Sequence, residues 1–257
     1  MLRTAITERW GIEHPIVQAP MAGVSGGALA GAVSAAGGLG MLGVGRASTA
    51  GWIRAEAARA AAPGRPWGAG LMAWALAERP ELLGAALAER PRVVAISFGD
   101  VAPYADAVHA AGADLVVQVQ TAADAERALA AGADVLVAQG TDAGGHTGQV
   151  GTLPLLQVLL ERAGGAPLLA AGGIGGGPAI AAVLALGADG AWVGTRFAAT
   201  REGAQSEAAK AAIVAAEAQD TVLTRVDDLA EGHPWPARYP GRALRSAFTD
   251  RWHGREA

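Results

Sequence analysis

The chain of 257 residues contains 51% hydrophobic and 17% charged residues, a composition typical of a protein that buries a sizeable core. Its 20 basic and 24 acidic residues give a net charge of −4 without a basic cluster, which argues against a nucleic-acid partner. The lack of cysteine excludes disulfides, thiolate nucleophiles and cysteine metal sites. The length fits one large domain.

The first residues lead into charged side chains, Glu8 and Arg9, rather than into an apolar signal segment. Residues 15–45 carry no charge, but glycine recurs throughout them, so a strand, a helix and a second strand explain them better than a membrane span. We therefore expect a cytoplasmic protein that does not cross a membrane.

Apolar strand-like runs alternate with alanine-rich helical stretches along most of the chain. Eight such units favour an α/β fold in which a parallel sheet closes into a TIM (β/α)8 barrel. We expect a barrel over residues 1–200 and a short C-terminal helix and irregular tail, 201–257, that pack on it. The predicted strands are 15–18, 40–44, 67–72, 93–97, 115–119, 135–139, 167–171 and 190–194. The predicted helices are 27–36, 50–61, 80–88, 104–111, 122–131, 153–162, 178–186 and 205–218.

The tripeptide Gly-Ala-Asp occurs three times, at residues 112–114, 132–134 and 187–189. Each copy stands between a predicted helix and the next strand. We interpret it as a helix-ending glycine, a turn and an acidic residue that enters the strand. This repetition indicates barrel architecture and carries no chemistry.

The segment 139–146, Gln-Gly-Thr-Asp-Ala-Gly-Gly-His, follows a predicted buried strand. Chemistry in an α/β barrel lies at the carboxyl ends of its strands. Two adjacent glycines, of which Gly144 is the first, let the backbone approach a flat ligand. His146 follows them at once and indicates proton abstraction beside a bound cofactor. The alternative is a capping or structural histidine.

A second glycine-rich segment, residues 172–177, lies between the seventh strand and the following helix, and the eighth strand ends in Gly194-Thr195. Loops after strands seven and eight form the usual phosphate site of barrel enzymes, where backbone N–H groups and a helix N-terminus bind the anion. A flexible connector is the alternative for the glycine run alone. Arg196 is a candidate side chain that adds positive charge next to the phosphate.

Together these motifs resemble the nitronate monooxygenase family, also called 2-nitropropane dioxygenase. The resemblance extends from about residue 12 to 197, and the tail 241–245 also resembles the family's C-terminal region. It implies a TIM barrel, tightly but non-covalently bound FMN, and oxidation of alkyl nitronates with molecular oxygen. The segments that carry it are Gln18-Ala19-Pro20-Met21-Ala22-Gly23, Ala36-Gly37-Gly38-Leu39-Gly40, 139–146, Ala171-Gly172-Gly173-Ile174 and Gly194-Thr195-Arg196-Phe197.

The resemblance assigns roles by position, and it makes His146 the catalytic histidine. The segment along the flavin matches Pro20, Met21 and Ala22. The strand-end side chains that hydrogen-bond the ring system match Gln118 and Gln139. The phosphate cradle matches Ala171, Gly172, Gly173, Gly194 and Thr195.

Two positions depart from the family's pattern. Gly70 stands where relatives often carry an asparagine near the flavin, and Asp142 stands where they usually carry a glutamate. We expect the shorter carboxylate of Asp142 to serve a different partner. Two tryptophans, Trp67 and Trp74, are expected to flank the exit of the third strand and to wall the flavin pocket.

A neutral imidazole at His146 can remove the α-proton of a nitroalkane. A substrate that arrives as a nitronate needs no base, and His146 then positions or neutralises the anion. The other four histidines show no metal-ligand spacing, so no metal site is expected.

Other functions remain open on the same scaffold. They are an FMN-dependent enoyl-thioester or quinone reductase that uses NAD(P)H, and a flavin-binding protein without turnover. The expected partners of the nitronate reaction are a small nitro compound or nitronate and molecular oxygen, and homo-oligomerisation is left open. The proline- and aromatic-rich segment 231–240 is expected to wrap over the barrel, where it completes either the pocket or a subunit contact.

Overall fold

The computed structural model describes residues 2–256 and contains a closed barrel of eight parallel strands. The barrel strands are β1 Ile16–Gln18, β2 Gly40–Gly43, β3 Trp67–Met72, β4 Val93–Ser97, β5 Asp114–Val119, β6 Val135–Gln139, β8 Leu168–Ala171 and β9 Gly190–Val193. Neighbouring strands follow the order β1-β9-β8-β6-β5-β4-β3-β2, and a parallel bridge from Val17 to Leu39 closes the ring between the two end strands. This confirms the predicted barrel, with strand ends within one residue of those expected.

Helices lie between successive strands and cover the outside of the ring. The helices are α1 Ala5–Trp10, α2 Gly27–Ala35, α3 Ala50–Ala61, α4 Ala73–Glu78, α5 Glu81–Leu87, α6 Ala102–Ala110, α7 Ala122–Ala130, α8 Thr152–Arg162, α9 Gly177–Leu186, α10 Thr195–Ala198, α11 Glu207–Ala215, α12 Val226–Glu231 and α13 Ala247–Trp252. The single helix predicted over 80–88 proves to be the second of two, α4 and α5.

Apolar side chains fill the inside of the ring, so it is a packed core rather than a pore. The short helix α1, which the sequence did not predict, closes the amino-terminal end of the barrel with Ile6 and Trp10. The Trp10 indole donates a hydrogen bond to Asp114 at 2.7 Å. The interior side chains from the strands are Val17, Leu39, Met41, Val93, Ala95, Val116, Val135, Val137, Leu169, Ala171 and Trp192.

The three Gly-Ala-Asp tripeptides make the expected turns. Their glycines follow α6, α7 and α9 with φ of +75°, +90° and +117°, the left-handed conformation that glycine adopts most readily. Asp134 accepts a hydrogen bond from the amide of Leu115, and Asp189 accepts one from Leu168, each at 2.9 Å. Each of these carboxylates thereby ties its turn to a neighbouring strand.

The chain after residue 200 is more regular than the helix and tail that we predicted. It adds two strands, β10 Thr221–Thr224 and β11 Gly241–Leu244, and a 3₁₀ turn at Ala218–Asp220. Both strands belong to an antiparallel sheet whose third strand, β7 Gly145–His146, comes from the barrel's own loop. The division at residue 200 stays a prediction. Within residues 2–256, no helix combines the length and apolar character that a membrane crossing requires.

Candidate active site

The strand that leads to His146 ends in a buried glutamine. Gln139 donates from Nε2 to the backbone oxygen of His146 at 3.0 Å, and its Oε1 accepts from Gln120 Nε2 at 2.7 Å. Gln118 shares the inward direction of Val116 but is only partly buried. The resemblance pointed to Gln118 and Gln139 but not to Gln120, which donates the hydrogen bond that holds Gln139 in place. Gln120 continues the strand's alternation two residues beyond Gln118.

The segment Pro20-Met21-Ala22 lies across the carboxyl ends of β2 and β3. A Cβ at Gly70 would overlap the ring of Pro20, and a Cβ at Gly43 would overlap the backbone of Met21. Ser25 Oγ accepts a hydrogen bond from the amide of Met21 at 2.7 Å and fixes the turn. The departure at Gly70 therefore has a local cause, because the proline ring fills the space that a side chain at position 70 would need.

Three loops meet at the ends of β6, β8 and β9. Gly172 and Gly173 have φ of +110° and +69°, and a Cβ at Gly172 would lie 2.6 Å from Thr152 Oγ1. A Cβ at Gly144 would lie 2.7 Å from Thr195 Oγ1. Side chains at Gly144 and Gly172 would therefore separate loops that now touch.

The amides at this meeting point are available to an anion. Within residues 2–256, the N–H groups of Gly173, Thr195 and Arg196 donate to no other group of the chain. Gly173, Thr195 and Gly144 are also exposed. Free N–H groups next to a glycine that permits close backbone approach form a cradle of the kind that binds phosphate. The residues present therefore fit a ligand that carries a phosphate group.

Asp142, the second departure from the family's pattern, contacts the amino terminus of α8. Its Oδ2 accepts a hydrogen bond from the amide of Thr152, the first residue of α8, at 2.8 Å. That bond is the main cause that lowers the pKa of the Asp142 carboxyl. The carboxylate stabilises the amino terminus of α8 and holds the His146 loop against it.

His146 lies in β7, where it pairs in register with Gly241 of β11. Its Nε2 lies 3.0 and 2.9 Å from the two carboxylate oxygens of Asp228 in α12. The indole of Trp235 stacks on the imidazole, with ring centroids 3.5 Å apart and an angle of 9° between the planes. Burial lowers the pKa of His146, an effect that the Asp228 carboxylate offsets only in part. A lowered pKa favours the neutral form of the imidazole, which is the form that a general base requires.

Trp235 belongs to a set of four aromatic side chains at the barrel mouth, which we call the aromatic cluster: Trp74, Phe98, Trp235 and Tyr239. Trp235 makes edge-to-face contacts with Trp74 and Phe98, each at 5.1 Å between centroids. Phe98 contacts Tyr239 in the same way at 5.2 Å. Residues 235 and 239 of the segment 231–240 thus lie at the barrel mouth, next to His146. Trp74 has the position predicted for it, but the prediction for Trp67 was wrong, because that residue begins β3 at the opposite end of the barrel.

The C-terminal tail also restrains the His146 loop. Arg242 Nε donates to the backbone oxygen of Thr141 at 2.8 Å, and the amide of Thr147 donates to Pro240 at 3.1 Å. These bonds flank His146 on both sides in sequence. The resemblance of residues 241–245 to the family's C-terminal region therefore coincides with a strand that holds the histidine loop.

The fold and the arrangement at its mouth are those of a (β/α)8-barrel oxidoreductase. The chain belongs to the nitronate monooxygenase family, whose model matches residues 3–81 and 81–235. Enzymes of this family are flavoproteins.

Several individual proteins are similar to this chain. FabK from Thermotoga maritima is 33% identical, with a TM-score of 0.88 over 100% of this chain and 79% of that one. A nitroalkane oxidase from Streptomyces ansochromogenes is 35% identical, with a TM-score of 0.80 over 99% of this chain and 82% of that one. A Mycobacterium tuberculosis protein provisionally described as a monooxygenase is 39% identical over 172 residues. That alignment covers 66% of this chain but only 44% of the mycobacterial protein.

Proposed function

We propose that this chain is an FMN-dependent enzyme that oxidises alkyl nitronates, and neutral nitroalkanes, with molecular oxygen. One observation carries the proposal: a partly buried imidazole, His146, lies in the loop that also contributes Gly144 to the candidate cradle. The family match and the likeness to a nitroalkane oxidase support this substrate class. A cytoplasmic location stays a prediction from the sequence, and the oligomeric state stays open.

Two parts of the chain would bind a single FMN molecule, one at its phosphate and one at its ring system. The amides of Gly173 and Thr195 would bind the phosphate, with Ala171, Gly172 and Gly194 keeping the backbone close to it. The ring system would lie near Pro20, Met21 and Ala22, within reach of Gln118 and Gln139. When bound, the flavin supplies the redox chemistry, because it accepts electrons from the substrate and returns them to oxygen.

His146 would prepare the substrate. For a neutral nitroalkane, the unprotonated ring nitrogen takes the α-proton and leaves a nitronate. For a substrate already in the nitronate form, no proton has to move, and the imidazole orients the anion. The aromatic cluster lies beside the imidazole and would limit the access of water to it.

An NAD(P)H-dependent enoyl-thioester reductase is the second candidate. The high structural similarity to FabK, which is an enoyl reductase, favours it. Such an enzyme needs room at the mouth for a long pantetheine arm. The aromatic cluster, with Trp235 stacked on His146, would narrow the approach to the histidine and so favours a small substrate. A flavin-binding protein without turnover would have no use for a neutral histidine at this position.

The cofactor can be tested before any kinetics. We expect the purified protein to be yellow and to release FMN when it is denatured, because the glycine loops form one phosphate site and the sequence lacks a dinucleotide fingerprint. Chromatography of the released flavin distinguishes FMN from FAD. Release of FAD, or a colourless protein that does not take up added FMN, would contradict the proposal.

A further inference from the structure

The carboxylate of Asp228 faces the imidazole that the proposed function uses. Both Asp228 oxygens lie within 3.0 Å of His146 Nε2, and the two side chains are 13% and 19% exposed. A carboxylate only accepts hydrogen bonds. The nitrogen that faces it therefore carries a hydrogen, and in the neutral ring Nδ1 is left as the proton acceptor.

We propose that Asp228 is a positioning residue that fixes His146 in the tautomer protonated at Nε2, so that Nδ1 is the base for the substrate's α-proton. Only the role of Nδ1 as the base rests on the proposed function, whereas the fixed tautomer does not depend on it. Within residues 2–256, His146 Nδ1 has no hydrogen-bond partner. It is the nitrogen that remains for a substrate.

Two further contacts restrict the ring. Trp235 covers one face of the imidazole and opposes rotation out of its plane. The bond from Gln139 to the His146 backbone oxygen fixes the chain from which the ring projects. Asp228 and Trp235 both come from the chain after residue 225. The C-terminal part thus supplies the groups that orient the histidine, whereas the barrel supplies the histidine itself.

Asp228→Asn removes the charge and keeps the shape of the side chain. We expect a loss of at least about tenfold in kcat for a neutral nitroalkane, because an amide can present either its oxygen or its NH₂ group and no longer selects one tautomer. The loss with the preformed nitronate should be smaller. The acid limb of the pH–rate profile for the nitroalkane should also move to lower pH. Activity requires the neutral ring, and loss of the carboxylate, which raises the pKa of His146, lowers that pKa. His233 is the other titratable group whose charge acts on this ring, and it is unchanged in the variant.

A spectroscopic measurement tests the tautomer without turnover. We expect ¹⁵N NMR of the histidine-labelled holoprotein to show His146 with one protonated nitrogen, Nε2, and to show mixed tautomers in Asp228→Asn. The His146→Asn spectrum assigns the signal. Asp227→Asn is the matched control, because Asp227 is the neighbouring aspartate in α12 and makes no hydrogen bond to His146. Asp228→Glu restores a carboxylate and should retain the single tautomer even if the asparagine variant folds poorly.

The outcomes separate the two proposals. An unchanged tautomer, acid limb and nitroalkane rate in Asp228→Asn would overturn the positioning role and leave the proposed function intact. A tautomer that depends on Asp228 in a protein that oxidises neither nitroalkane nor nitronate would support the fixed tautomer and refute the proposed function. Equal losses in Asp227→Asn and Asp228→Asn would also overturn the proposal, since they would indicate a general disturbance of α12.

Discussion

His146→Asn is expected to depress kcat for a neutral nitroalkane by about 10²–10⁴-fold, the range attributed to a positioned general base. The same variant should lose much less with the preformed nitronate, because that anion has already given up its proton. The contrast between the two substrates identifies the step that needs the imidazole. Steady-state kinetics on both substrates, after the flavin spectrum has verified cofactor occupancy, measure it.

His109→Asn is a suitable control for that experiment. His109 also faces a carboxylate, Asp134, at 2.9 Å, but it lies near the end of α6, away from the barrel mouth. The control should leave both activities unchanged. Equal losses on both substrates in His146→Asn would indicate that the imidazole positions the anion, and unchanged activity on both would refute a role in the reaction.

Gly173→Val is expected to raise the dissociation constant of FMN about tenfold to a hundredfold. The native φ of +69° is strained for a β-branched residue, so the loop relaxes and moves its free amides away from the phosphate. Binding must then restore a conformation that costs about 1–3 kcal/mol, and each 1.4 kcal/mol is a factor of about ten. Fluorescence titration of the flavin-free protein with FMN measures the change.

Gly164→Val separates the cradle from general backbone strain. Gly164 has a similar φ of +59° and open space around its Cβ, but it precedes β8 and so lies at the other end of the barrel. This variant should bind FMN as the parent does, despite a comparable loss of stability. If Gly173→Val bound FMN with the affinity of the parent protein, the phosphate would have to bind elsewhere.

The barrel was predictable because its strands are short, continuous apolar runs, the pattern of strands buried on both faces. The runs 67–72, 93–97 and 135–139 match β3, β4 and β6 at both ends. The helices that we did not predict, such as α1 and α4, are short. α4 follows β3 directly, and its N-cap residue Met72 makes no side-chain capping bond, so no polar cap marks its start.

The loops of the candidate site were also predictable, because glycine runs and the Gly-Gly-His sequence are local signals. The partners of those loops were not. Asp228 lies 82 residues from His146 in a helix that also contains Asp227, and nothing in the sequence distinguishes the two aspartates. Pro20, in the loop after β1, contacts Gly70 of β3, which is 50 residues away in the sequence and comes close only through closure of the barrel.

Anaerobic mixing of the oxidised holoprotein tests the central claim most directly. A nitronate should bleach the flavin absorbance rapidly, oxygen should then restore the colour, and NADH or NADPH should cause no comparable bleaching. Bleaching by a reduced nicotinamide but not by a nitronate would contradict the account and assign the protein to the reductases. A flavin that no donor bleaches would show that the protein binds its cofactor without turnover.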